Sequence, residues 1–235
     1  MARSRPEGRF QQLRDAALAV FAAKGLRRAR MADVARAMGV STGSLYNYVE
    51  SKEALFHWLL ELGGGDAKVE APARLPIPTP PPGATEAALR AALVEGMRLP
   101  ALDAALARRR VGDARAELHG IARELYERIE KTRGPGAAIE RSAIDQPELF
   151  EVYFRGARRE LFAALARYVA KRAKAGHFAG VGDPTVAARF IVESVAWFGR
   201  HRFSDPDPEL LPDPGTVREE VLRRIVASFT REETA

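Results

Sequence analysis

The chain has 235 residues, with 37 Lys/Arg against 31 Asp/Glu, a formal net charge of +6 and no cysteine. That length can bury a substantial core, the basic balance favours a polyanionic partner, and the lack of cysteine excludes disulfides and thiolate metal or redox sites. The charge is uneven: residues 1–60 carry 10 Lys/Arg against 5 Asp/Glu and the remainder 27 against 26, so the excess positive charge belongs to the N-terminal segment.

The first predicted helix covers residues 9–24. Phe10, Leu13, Ala17, Val20 and Phe21 fall on one face, and Arg14-Asp15 interrupts the apolar run, which argues against a cleaved signal peptide. Arg3, Arg5 and Arg9 form a basic arm suited to the DNA backbone or minor groove, with a solvated N-terminus as the alternative. Val34, Ala35 and Met38 then mark the apolar face of a helix over 31–38, and Leu45 that of another over 42–49. Gly39 stands where the chain must reverse, Val40 plugs the angle, and Ser41 is suited to cap the second helix. Thr42, Gly43 and Ser44 keep the start of that helix small, so it can approach bases, while Tyr46, Asn47 and Tyr48 follow as hydrogen-bonding side chains. Lys52 falls at the start of the next helix, where a cation gains nothing from the dipole and is better explained by phosphate.

The segments AALAVFAAKG (16–25) and DVARAMGVSTGSLYNYVESKEALF (33–56) resemble the DNA-binding domain of the TetR family of transcriptional regulators, over about the first quarter of the chain. Departures from the family pattern are Ala29-Arg30 where Ser or Thr usually caps the second helix, Thr42 and Ser44 around Gly43 in place of Lys and Thr, and Val49 where Phe is common. The resemblance implies an all-α protein with an N-terminal three-helix helix-turn-helix domain and a C-terminal helical effector-binding and dimerisation domain. It implies a homodimer on a palindromic double-stranded operator, with Arg30, Thr42, Gly43, Ser44, Tyr46, Asn47, Tyr48 and Lys52 on the DNA.

A fourth helix is expected over 52–62, ended by Gly63-Gly64-Gly65. Residues 71–83, APARLPIPTPPPG, hold six prolines and are expected to be extended, so 63–84 reads as a linker or surface loop. Helical spacing returns over 87–99, 102–110 and 113–133, where Gly134-Pro135-Gly136 is expected to stop it, then over 147–175, 184–202 and 217–229. The expected division is therefore 1–62 for DNA, 63–84 as linker, and 85–235 for effector and dimer contacts. In the dimer, the helices at 147–175 and 184–202 would pair with their symmetry mates, with Ala187, Ala188, Ser194 and Val195 as a small-residue face.

Signatures of catalysis are missing. The four histidines, His57, His119, His177 and His201, are far apart, and no nucleophile elbow or phosphate-binding glycine loop occurs. No cofactor is expected, no apolar run reaches the length of a membrane span, and a cytoplasmic location follows. His119, Arg123, Tyr126, Phe150, Phe154 and Trp197 are candidates for a largely apolar effector site, since such sites combine aromatic walls with a few polar groups. The reading is a repressor released from DNA by a small apolar effector. The alternatives are an effector-independent DNA-binding protein and a helical small-molecule-binding protein or enzyme.

Overall fold

The computed structural model describes residues 8–63 and 69–230, and among them the chain is helical without a strand. In order the helices are α1 (Arg9–Arg28), α2 (Met31–Met38), α3 (Thr42–Tyr46), α4 (Lys52–Leu62), α5 (Ala84–Gly96), α6 (Pro100–Ala107), α7 (Ala114–Lys131), α8 (Arg133–Ile144), α9 (Pro147–Phe150), α10 (Arg159–Lys174), α11 (Pro184–Gly199) and α12 (Pro214–Ala227). A π-helical segment, Glu151–Arg158, joins α9 to α10. Arg3, Arg5, Gly64 and Gly65, all invoked above, lie outside the described residues.

Two compact units divide the chain, Met1–Gly96 with Gly134–Ala157, and Met97–Arg133 with Arg158–Ala235. The sequence reading instead drew its boundaries at residues 62 and 85, leaving α5 and residues 134–157 in the second domain. In the first unit, Leu13, Ala17, Phe21, Val34, Leu45, Leu55 and Phe56 are fully enclosed, and Phe21 meets Phe56 edge-to-face at 5.4 Å. α1 breaks at Gly25, whose φ of 72° and ψ of 162° suit glycine alone, so the expected end at Lys24 is where regular helix stops. A Cβ on Gly25 would lie 2.9 Å from the Arg141 carbonyl oxygen of α8. Beside that contact, the buried Ser142 hydroxyl accepts the Leu26 N–H at 3.0 Å and donates to Ala138 at 2.6 Å.

That seat was not foreseen, because Gly134-Pro135-Gly136 was read as a terminator. The chain does leave α7 at Thr132, but α8 restarts at once with the triplet in its first turn, where proline's missing N–H has no intrahelical partner to lose. The helix expected over 147–175 is likewise not continuous. It passes through the π-helical segment and a break at Gly156 (φ −90°, ψ −106°), so Phe150 and Phe154 belong to the first unit. The last helix runs over Pro214–Ala227 in place of 217–229, because Asp213 caps it and Pro214 supplies a preset first residue.

The second unit encloses Leu118, Ile121 and Tyr126 of α7, Leu165 and Tyr168 of α10, Ile191 and Val195 of α11, and Leu222 and Ile225 of α12. Asp113, Asp183 and Asp213 each accept two backbone N–H groups at the start of α7, α11 and α12. For Asp183 and Asp213 those bonds hold the carboxyl below its usual range, with the Thr216 hydroxyl as the largest influence on Asp213. The core contains a buried ion pair: Arg172 reaches Glu117 through Nε (2.7 Å) and Nη2 (3.1 Å), and Nη2 also donates to the Ala105 carbonyl at 2.7 Å. This pair holds α6, α7 and α10 together. Nothing in the sequence pattern distinguished Arg172 from the solvated arginines around it.

Candidate nucleic-acid interface

The turn between α2 and α3 is built from three local devices. Gly39 takes a left-handed conformation (φ 68°, ψ 34°), which an L side chain would disfavour. The Val40 N–H closes back onto the Ala35 carbonyl at 2.9 Å, satisfying an orphan group at the end of α2. Ser41 then caps α3, its hydroxyl accepting the Ser44 N–H at 3.1 Å and lying 2.8 Å from the Ser44 hydroxyl. Leu45, fully buried, anchors the helix on its inner side.

At the start of α2 the missing Ser or Thr cap is offset from the other direction. Asp33 accepts the Arg30 backbone N–H at 3.0 Å and pairs with Lys24 at 2.7 Å. Those bonds, that to Lys24 foremost, hold the Asp33 carboxyl below its ordinary range. The Arg30 side chain is left exposed, and among the described residues no carboxylate lies within ion-pair distance of it or of exposed Arg27.

Gly43, Ser44, Tyr46 and Asn47 are exposed and Thr42 is half-buried. A Cβ on Gly43 would meet nothing within 4 Å. The fold does not require glycine at that position, although glycine in a helix costs about 1 kcal/mol relative to alanine. The remaining two candidates also make contacts within the domain. Tyr48 packs its ring edge-on against Phe10 at 5.8 Å, and Lys52 donates from Nζ to the Arg27 carbonyl at 2.9 Å near the end of α1. The second contact corrects the argument that the Lys52 cation needs an external anion: it is favourable at a helix C-terminus, and that helix is α1.

Helix α3 ends at Tyr46 in place of residue 49. Beyond it the chain pairs with the proline-rich segment, where Ile77 lies parallel to Val49. Ile77 donates its N–H to the Tyr48 carbonyl at 2.8 Å and accepts the Glu50 N–H at 3.0 Å. The sequence reading passed over Ile77. Its signal was an apolar β-branched residue set between two prolines, a side chain with no helix of its own to bury it.

The structure divides the effector-site candidates between the units. Phe150 and Phe154 face each other at 5.0 Å in the first, while His119, Arg123, Tyr126 and Trp197 are in the second. Tyr126 is fully buried, donates to the Phe198 carbonyl at 3.1 Å and is pushed up in pKa chiefly by burial. Arg123 bonds both carboxylate oxygens of Glu219. Of the small-residue face expected on α11, Ala188 and Val195 point into the core with Ile191. The exposed apolar side chains of that helix are instead Val186 (68% exposed), Phe190 (46%) and Trp197 (41%).

Residues 13–59 match the family described as bacterial regulatory proteins, tetR family. That match covers α1 to α4, the helix-turn-helix segment. Within a 53-residue stretch the chain is 42% identical to the HTH-type transcriptional repressor KstR2 of Rhodococcus jostii (strain RHA1), covering 23% of this chain and about a quarter (26%) of that protein. Similarity of fold extends further than this. The ketosteroid transcriptional regulator KstR2 of Mycobacterium tuberculosis superposes with a TM-score of 0.60 at 20% identity, covering 97% of this chain and 98% of the other. AibR, solved with isovaleryl coenzyme A and operator DNA, gives 0.55 at 13% identity, covering 93% and 98%. The likeness of fold thus spans the chain, and no described helix is long and apolar enough to cross a membrane.

Proposed function

We propose that this chain is a homodimeric, cytoplasmic, non-enzymatic repressor that binds a palindromic operator through α3 and leaves it when a small, largely apolar effector binds. The observation that carries the reading is the exposed face of α3. Gly43 leaves a side-chain-free position between Thr42 and Ser44, Ser44 and Asn47 are exposed, and exposed Arg30 has no carboxylate within ion-pair distance among the described residues. Thr42, Ser44 and Asn47 are assigned to bases, and Arg30, Tyr46, Tyr48 and Lys52 to phosphates, since base edges supply sequence preference and phosphates supply register. Lys52 is well placed for both roles, because an ammonium that caps α1 retains further donors.

Dimerisation is assigned to the α11 face bearing Val186, Phe190 and Trp197, with α10 alongside. Three large exposed apolar groups on one helix favour burial against a second copy. The effector is assigned to the second unit, with His119, Arg123 and Tyr126 of α7 as the residues facing it. AibR, crystallised with both an acyl thioester and operator DNA, supports acyl-CoA compounds as the first class to test. Coupling is assigned to α8, which follows α7 after one residue and seats on α1 at Gly25. The covalent route from α7 through α8 thus bypasses the proline-rich segment. Only about 1.4 kcal/mol of differential effector binding is needed for a tenfold loss of operator affinity. The test is a thermal-stabilisation screen of acyl-CoA thioesters, each hit then assayed for operator release. Hits that stabilise the protein but leave DNA affinity unchanged would reject the switch.

A further inference from the structure

The proline-rich segment 69–83 is a strap across the junction that follows the recognition helix α3. Besides the two backbone bonds of Ile77, the Thr79 N–H donates to the Glu50 carboxylate at 2.8 Å and the Thr79 hydroxyl lies 2.8 Å from that of Ser51. Ile77 and Val49 are both buried. Ser51 itself caps α4, accepting the Ala54 N–H at 3.0 Å. The strap therefore grips the whole junction from Tyr48 to Ser51, between α3 and α4.

A five-residue helix cannot hold its own conformation in water, since helices shorter than about 12 residues are marginal even in favourable sequences. α3 has to be held at both ends. Gly39 and Ser41 fix its start, Leu45 fixes its inner side, and its far end continues into Tyr48, whose carbonyl is taken by Ile77. We propose that the strap sets the pose of the recognition helix, and that Ile77 is a positioning residue for sequence-specific DNA binding. Side chains that read base edges need tight geometry, whereas charged groups near phosphates tolerate displacement. Loss of the strap should accordingly weaken specific binding far more than non-specific binding.

This inference rests on the DNA-binding reading above. The probe is a duplex selected by the wild-type full-length chain from a random-sequence pool, compared with an unrelated duplex of equal length. Failure of the wild-type chain to select any duplex would reject the DNA-binding reading itself. Given a selected duplex, Ile77→Pro removes the N–H given to Tyr48. Thr79→Val, a milder change, removes only the hydroxyl next to Ser51. We expect Ile77→Pro to bind the selected duplex about tenfold more weakly, the scale of one or two lost hydrogen bonds, with affinity for the unrelated duplex and its salt dependence unchanged. Ile77→Val should restore wild-type values, and Thr79→Val should show a smaller loss in the same direction. Amide exchange over residues 42–49 should quicken in the two weakened variants. Wild-type preference in both would overturn the proposal, and so would an equal loss on both duplexes. If Ile77→Pro does not fold, Thr79→Val and the exchange rates decide by the same criteria.

Discussion

The substitution Gly25→Ala tests the seat between α1 and α8 with a single carbon. At φ 72° and ψ 162° the backbone occupies a region essentially confined to glycine, and holding alanine there costs about 1–3 kcal/mol. The new Cβ would also lie 2.9 Å from the Arg141 carbonyl oxygen, part of a helix backbone that cannot rotate aside as a side chain would. Either α8 shifts or the contact stays compressed, so the cost belongs in the upper part of that range. A loss of 2 kcal/mol lowers the midpoint of a chain of this size by about 4–8 °C. Thermal unfolding by circular dichroism reads this directly, with Ser142→Ala as companion, since it leaves the Leu26 N–H without its acceptor at a cost of about 1–3 kcal/mol. Because both changes loosen the same seat, the double variant should lose less than the sum. An unchanged midpoint for Gly25→Ala would refute the close approach, and with it the route assigned to coupling.

Asn47→Ala should change preference among operator variants, and Lys52→Ala should weaken binding to every duplex while reducing the salt slope by about one; an unchanged slope would leave Lys52 with only its cap on α1. Arg172→Met leaves the buried Glu117 with only the longer 3.8 Å contact from exposed Arg108, and loss of one partner of such a buried pair costs about 3–5 kcal/mol. A Tm equal to wild type would show that the pair is not enclosed in solution. Trp197→Glu, on the exposed face of α11, should produce a folded monomer in analytical ultracentrifugation, whereas a folded dimer would move the interface elsewhere.

What the sequence made legible is local. The reversal at Gly39, the cap at Ser41 and the buried Leu45 are each written within a few residues, and the structure has them where the spacing placed them. Signals that depend on a distant neighbour were lost. Gly134-Pro135-Gly136 carries the same letters whether it ends one helix or opens the next, and only packing on α1 at Gly25 favours the second. The prolines of 71–83 announced extended chain, but not the residues with which Ile77 pairs. On α11, Ala188 and Val195 read as interface residues because an apolar helix does not say which side its own chain will cover. Their place in the core, with Val186, Phe190 and Trp197 outside, is set by α7, α10 and α12. The same ambiguity scattered the effector-site candidates over both units.

The most direct measurement of the central claim is a hydroxyl-radical footprint of the full-length chain on the duplex it selects from a random pool. The account predicts an enriched palindrome with two protected patches centred about one helical turn, roughly 34–36 Å, apart, and loss of both patches together as salt is raised. No enriched sequence, or uniform protection indifferent to sequence, would contradict it.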